Sequence, residues 1–418
     1  MPTSRSRRSR NRSTAYVRRE RARRARAGRS GVGATSPPMA RMTDQDLAHL
    51  HESFAAEAAG DPERALFHHE AVGPFPDNPH RVMLRQLVEL GEAVPAWGHA
   101  RWIIEQVTRW ITVDTVARTH LARDDTIRAA HAMDVDPRRP YGLRVEEFCG
   151  LLLGHDWIYR QLVVFDGGGL RQFLEEDAAP ELVARAGPVH AWTGSAMGGF
   201  RFEGEGGGRA RFTDLTSGAG IDVLDVGCAG QLEPGDCAIG RVVPIDTEPG
   251  LMFESLPVPV DPGLATRVAA NPGRWLMEVT RDYQAGRFPR LYSWREQHPL
   301  LTDVPVWVWR YALDDDAALS RLLDHGWPLT GDVVGDAVHV CRKMLPGWVR
   351  VPPEGRPCLA QMFGALVLHP GMMAALRHSV TGARHEEAWR DIAAHLVDPM
   401  RARCLELADL CRKSSDVA

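Results

Sequence analysis

From Thr43 onward the chain is written in two apolar rhythms. In DLAHLHESFAAEAA, Leu47, Leu50, Phe54 and Ala58 recur at helical spacing, with Thr43 or Asp44 placed to cap the run and Gly60 to stop it. Asp61 and Pro62 then supply a cap and a first-turn proline, so the spacing predicts two short antiparallel helices. PHRVMLRQLVELGEA and GHARWIIEQVTRWITVDTVARTHL continue the pattern; Ile103, Val107, Trp110 and Ile111 form one stripe with Trp102 at its edge, which reads as core.

Between residues 188 and 262 the period shortens to two. FRFEGEGGGRARF places Phe200 and Phe202 on one arm of a hairpin and Ala210 and Phe212 on the other, around a glycine loop. A turn at Ser217–Gly220 leads into a third strand whose alternation slips at Leu224–Asp225, as a bulge there makes it. Pro234–Gly235 make a tight turn, CAIGRVVPI a fourth strand and LMFESLPV a fifth, and five short antiparallel strands in so few residues predict a small barrel of the OB or SH3-like kind. After Pro262 the helical rhythm returns in LATRVAANPGRWLMEVTRDYQAG, DDDAALSRLLDHG, DVVGDAVHVCRKML, PCLAQMFGALVLH, EEAWRDIAAHL and PMRARCLELADLCRK, while PVWVWRYAL fits strand or helix. The expected class is α+β, with a helical region over 43–187, the barrel over 188–262 and a helical region over 263–418.

Charge sets the first 41 residues apart. They hold 13 arginines and the single acid Glu20, a net of +12 against −4 for the whole chain, so the other 377 residues carry −16. Such an arm reads either as a disordered strand that grips nucleic acid through phosphates or as a solvated tail, untranslated if the native protein starts at Met42. It has neither the apolar helix face of an organellar targeting peptide nor a hydrophobic segment behind its paired arginines. Lys343 and Lys413 are the only lysines among 50 basic residues, so the arginine bias extends over the whole chain. No run of about 18 apolar residues occurs, so no membrane span is expected. Seven scattered cysteines without CxxC pairs signal neither a disulfide framework nor zinc, and fit a reducing cytoplasm. Cys404 and Cys411, seven apart on a helix, read as two small apolar residues on one buried face.

The candidate chemistry centres on IDVLDVGCAG. It imitates the strand and glycine loop of an S-adenosylmethionine-dependent methyltransferase, with Asp225, Gly227 and Gly230 at the cofactor and Asp246, after GRVVPI, on the ribose hydroxyls. Only the ten residues from Gln231 to Gly240 separate the loop from that second strand. A parallel crossover takes about a dozen or more, and Pro234–Gly235 would break any helix there. The barrel reading therefore leads and the methyltransferase is its rival. Other candidates are weaker. Thr193 stands where a nucleophile elbow around Ser195 needs glycine, and FDGGGL lacks the lysine of a phosphate loop and reads as a turn before LRQFLEEDA. His68, His69 and Glu70 read as a solvated helix face, and His369, His378, His385 and His395 as isolated surface or helix-end residues, so no metal site is expected. From His190 to Pro262 four arginines face eleven acids, a net of −7 that repels a phosphate backbone and leaves Phe200, Phe202, Phe212 and Phe253 as core.

GDPERALFHHEAVGPFPDNP resembles the second half of a tetratricopeptide repeat, with Gly60 at the turn, Ala65 at the close-packing position and Pro76 or Pro79 at the end. The order DLTSG, IDVLDV, LEPGD, GRVVP resembles a compact β-domain of uncharacterised bacterial proteins, many of them actinobacterial. Some of these also carry the zinc motif of the SecA C-terminus, whose cysteines this chain lacks. The resemblance covers about residues 43–262 and implies no activity. The expected function is therefore that of a non-catalytic cytoplasmic binding or adaptor protein with a protein partner and no cofactor. Nucleic acid is expected only through the arm.

Overall fold

The computed structural model describes residues 43–72, 79–113, 157–230, 232–288, 300–303, 333–379 and 383–415. The arginine arm, PVWVWRYAL and DDDAALSRLLDHG lie outside them. The described elements ahead of the strands begin with α1 (Asp44–Ala58), α2 (Pro62–Ala71), α3 (Pro79–Leu90), α4 (Ala96–Val113), α5 (Trp157–Gln161), the π-helical turn Leu162–Asp166, α6 (Gly169–Glu176) and α7 (Pro180–Arg185). The short α8 (Val189–Trp192) leads into the sheet. The expected start signals operate. Thr43 Oγ1 accepts the Asp46 N–H at 3.1 Å while the Asp46 carboxylate accepts the Thr43 N–H at 2.9 Å, and Asp61 accepts the Arg64 N–H at 2.9 Å ahead of Pro62. Gly60 takes φ +74 between α1 and α2, and Ala65 is fully buried where the two helices meet. Thr43→Ala removes one side of this reciprocal cap, and we expect a loss of about 1 kcal/mol, read as faster amide exchange over residues 44–58.

Among the described residues seven strands follow: β1 (Gly198–Gly206), β2 (Arg209–Asp214), β3 (Gly220–Leu224), β4 (Cys237–Gly240), β5 (Val242–Pro244), β6 (Leu251–Phe253) and β7 (Val258–Val260). Five form an antiparallel sheet in the order β3-β2-β1-β4-β7, and β5 pairs with β6 in a separate ribbon. The sheet is antiparallel as expected, but it is not a closed barrel. β3 is bonded only to β2 and β7 only to β4, so the two ends of the sheet are not joined. The expected fourth and fifth strands are each broken, at Arg241 and at Glu254–Pro257, and the β5–β6 ribbon leaves the sheet plane there. It places Phe253 edge-on to Phe200 and Phe212, at 5.2 and 5.1 Å between ring centres. These rings, with Phe202, form a second apolar cluster, the core role expected of all four phenylalanines.

The C-terminal helices are α9 (Pro262–Ala270), α10 (Trp275–Gln284), α11 (Val333–Met344), α12 (Arg356–Val367), α13 (Met372–Arg377), α14 (Ala383–Ala394) and α15 (Met400–Ser415). Helix α9 lies on β1 and β4. The main apolar cluster is continuous from Ala56 through Trp102, Ile239 and Val268 to Cys411, so the front helices, the opposite face of the sheet and the last helices share one core. Polar contacts reinforce this: Gln86 of α3 donates to the Leu368 carbonyl at 3.0 Å, and Glu89 accepts the Gly371 N–H at 3.0 Å. Cys404 and Cys411 are fully buried free thiols on one helix face, as their spacing predicts. No described helix is long and apolar enough to cross a membrane.

Candidate functional site

The methyltransferase-like loop is where the structure gathers its most unusual chemistry, and a β-bulge is responsible. Along β1, Phe202 opposes Phe212 on β2. The register then slips by one, so that Gly204 opposes exposed Arg211 and Glu205 opposes buried Ala210. Without the slip Glu205 would point outward with exposed Glu203, which accepts from the Thr213 hydroxyl at 2.6 Å and from Arg201 at 2.9 Å. With it, Glu205 turns to the inner side. Its carboxyl there touches that of Asp225, the first residue after β3. The slip expected at Leu224–Asp225 is thus found in β1 instead. β3 ends in register at Leu224 opposite Arg209, and the Asp225 N–H then bonds the Gly208 carbonyl at 2.9 Å.

Asp225 is 3% exposed, and its carboxylate turns back into its own loop. It accepts the Gly227 N–H at 2.8 Å, together with the Ala229 N–H and the Cys228 thiol. Gly227 has φ +112 and Gly230 closes the turn by bonding the Gly227 carbonyl at 3.2 Å, so both glycines serve the tight loop itself. The loop carbonyls are also occupied. That of Asp225 accepts from Gln361 of α12 at 3.2 Å, and that of Val226 from the Thr302 hydroxyl at 3.0 Å and the Asp303 N–H at 2.6 Å. Asp303 is held in turn by Arg101 of α4 at 3.1 Å. Loop 225–230 therefore ties the sheet to the front and back helices.

Two touching carboxyls cannot both be charged in so buried a place. Burial, then the Asp225 charge, lifts the Glu205 carboxyl from near 4.5 to about 7, and burial raises Asp225 against the N–H groups that favour its anion. The pair therefore takes up a proton as the pH falls through about 7. Cys228 beside it is pushed well above the usual thiol range by burial and by Asp225 and Asp303, so it is a protonated, inert thiol. Exposed Cys358 at the head of α12 is raised to about 11, by desolvation of its sulfur and then by the charges of Glu205 and Asp225. Among the described residues no three His, Cys, Asp or Glu side chains converge on a metal position, and neither Glu205 nor Asp225 makes an ion pair. What the arrangement can do is bind and release a proton.

Asp246 does not join this loop. It is exposed in the turn between β5 and β6, its carboxylate against Gly187, and no hydrogen bond connects it to residues 225–230. Ser195 is half-buried just ahead of β1; its carbonyl accepts from Arg241 at 2.6 Å. Phe165–Leu170 ends the π turn and opens α6 with Gly168 at φ +78, the expected turn before a helix. One expectation on the front helices needs correcting. His69 is not solvated but 4% exposed, its ring tilted against that of His80 at 4.9 Å between centres, while His68 meets His49 with their Nδ1 atoms 3.2 Å apart; only Glu70 of that trio is on the surface, paired with Arg85 at 2.8 Å. Trp102 is core as expected, fully buried and donating to Glu57 at 2.8 Å where α1 covers that side of α4.

A second buried polar node escaped sequence reasoning. Arg241, 3% exposed, donates to Gln161 at 2.7 Å and Asp166 at 2.5 Å, with its guanidinium 4.8 Å from the centre of the Phe165 ring. Asp166 also accepts from Trp275 at 2.7 Å, and Gln161 donates to Glu254 at 2.5 Å. The partners lie 75 to 109 residues apart in the chain, so no local spacing marks them. The one local sign is that a lone Arg interrupts CAIGRVVPI. No family model matches the chain, and neither a curated protein nor a solved structure matches it.

Proposed function

We propose that this chain is a non-catalytic binding or adaptor protein that works in the cytoplasm on a protein partner and needs no cofactor. The observation that carries the reading is the internal use of loop 225–230. A nucleotide-type cofactor needs backbone N–H groups and a free acid at such a loop. Here the Asp225 carboxylate is taken by Gly227, and the carbonyls of Asp225 and Val226 are taken by Gln361, Thr302 and Asp303. β3 and β4 flank the loop without pairing with each other, and no helix lies between them among the described residues. That arrangement holds a scaffold together and leaves nothing for a substrate. The resemblance to bacterial β-domain proteins without a catalytic motif, and the free thiols of the six cysteines among the described residues, suited to a reducing compartment, support the same reading.

The test is calorimetric titration of the full chain with S-adenosylmethionine. We expect no binding at ligand concentrations up to about 1 mM, the weak end of useful affinity. Micromolar binding that Asp225→Ala abolishes overturns the reading and restores the methyltransferase. The arginine arm supports one further reading, nucleic-acid binding by residues 1–41, since +12 on a short segment is the charge that releases counterions from phosphate. Duplex binding that falls steeply with salt and disappears on truncation to Met42 supports it; equal affinity with and without the arm removes it.

A further inference from the structure

The Glu205–Asp225 contact lies where three parts of the fold meet. Glu205 stands near the tip of the β1–β2 hairpin. Gly208, in the turn of that hairpin, approaches Val397 and Leu396 between α14 and α15 so closely that a Cβ on it would stand 2.4 Å from the Val397 methyl. Asp225 belongs to the loop bonded to α12 through Gln361. Glu205 Oε2 is buried and receives no hydrogen bond from any donor group. An orphaned carboxylate oxygen against a second carboxyl has two physical remedies, a cation or a proton. No metal cage is present among the described residues, and the nearby cations are engaged elsewhere. Arg209 of β2 faces Glu248 at 3.5 Å, Arg211 faces Asp222 at 3.9 Å, Arg101 faces Asp303 at 3.1 Å, Arg356 of α12 faces Asp391 at 3.1 Å, and Arg201 faces Glu203 at 2.9 Å. Cys228 and Cys358, which feel both carboxyls, are protonated thiols that neutralise nothing, and His395 and Asp398 flank the Leu396–Val397 seat of the hairpin tip.

From this geometry we propose that the carboxyl pair is a proton-operated latch. A proton shared between Glu205 and Asp225 fastens the hairpin tip to loop 225–230 and to the C-terminal helices, and its loss loosens that corner of the fold. Two anions then press on each other at hydrogen-bond contact in a site with no counter-charge. The hairpin turns at Gly207 and Gly208, with φ +60 and +74, and its tip is the segment whose seat on loop 225–230 this repulsion strains. The sense of the pH dependence follows from linkage. With the folded Glu205 raised above its unfolded value, the latched state holds a proton that the opened state has lost between pH of about 4.5 and about 7. The stabilisation is complete below that window, declines through it and is gone above it.

The latch does not depend on what partner the protein binds. Its test is hydrogen exchange of the full chain, followed over residues 200–212 and corrected for the intrinsic effect of pH. In the wild type the opening of the hairpin should grow by up to about tenfold per pH unit between about 5 and 7 and level off above. Glu205→Gln keeps the size and donates an amide hydrogen to Asp225, so the pH dependence should vanish and the hairpin stay protected at pH 8.5. Glu203→Gln, two residues away on the outer face, should behave as wild type. Infrared spectra of the wild type give a second reading: a protonated carboxyl band that disappears with a midpoint near pH 7 and is missing in Glu205→Gln. Equal pH dependence in wild type and Glu205→Gln, or no carboxyl band titrating between pH 6 and 8, overturns the proposal.

Discussion

Arg241→Met is expected to remove about 3–5 kcal/mol of folding stability, among the largest single-residue losses available in this chain. Methionine fills much the same space, so the loss comes from the polar partners left behind. The guanidinium donates to the Gln161 amide oxygen, the Ser195 carbonyl and the Asp166 carboxylate, at 2.7, 2.6 and 2.5 Å. Gln161 and Ser195 lose their donor outright. Asp166, whose side chain is 30% exposed, keeps the Trp275 indole at 2.7 Å and some water, which places the effect nearer the low end of the range. The measurement is a urea unfolding curve followed by tryptophan fluorescence, since Trp275 and Trp157 stack edge-to-face at 5.8 Å close to the node. A shift of less than about 1 kcal/mol would mean that the node is stabilised by water more than by Arg241. Arg241→Lys should recover only part of the loss, because a single ammonium cannot reproduce three donors splayed in a plane.

The second large effect is steric. A Cβ on Gly199 would sit 2.0 Å from the Ala265 carbonyl oxygen, a backbone atom of α9 that cannot rotate away. Strand β1 and α9 are packed backbone against backbone at this point, with Gly199 opposite Ile239 of β4. Gly199→Ala therefore has to push the helix off the sheet and open the core at Val268 and Leu264, and we expect a cost of about 3 kcal/mol or more with loss of the well-packed β1–α9 contact. Gly206, in the same strand with nothing within 4 Å of its added Cβ, is the matched control; Gly206→Ala should change stability by less than about 1 kcal/mol. Thermal unfolding of the two variants side by side checks both statements. Similar melting temperatures would show that α9 yields without penalty.

Much of the local structure was legible from residue type and spacing. Thr43 and Asp61 cap the helices they were expected to cap, Gly60 turns between α1 and α2, Pro234–Gly235 turn ahead of β4, and Phe200, Phe202, Phe212 and Phe253 form a core. These features are governed by forces acting over three to five residues, such as cap geometry, left-handed glycine and side-chain alternation. Barrel closure was not legible, because it depends on whether two strand ends far apart in sequence find each other. Arg241 and Glu254 break the strands that would have carried the bonding round. His69 was misplaced for a related reason. Helical periodicity identifies a face, but which neighbour covers that face is decided by the packing of α1 and α3.

The candidate site divides along the same line. Residue order alone marked Asp225, Gly227 and Gly230 as a tight acid-and-glycine loop and denied it room for a crossover helix, since both depend on chain length and backbone freedom within about a dozen residues. It also determined the acidic body and the basic arm, which are sums over composition. That Glu205 reaches Asp225 was decided by tertiary structure. A one-residue slip in strand pairing rotates a side chain from solvent to interior, and pairing energy between β1 and β2, not any property of Glu205, sets where the slip falls. The Arg241 node was decided likewise, because burying a guanidinium is tolerable only where Gln161, Ser195 and Asp166 already converge, and only the folded chain brings them to one place.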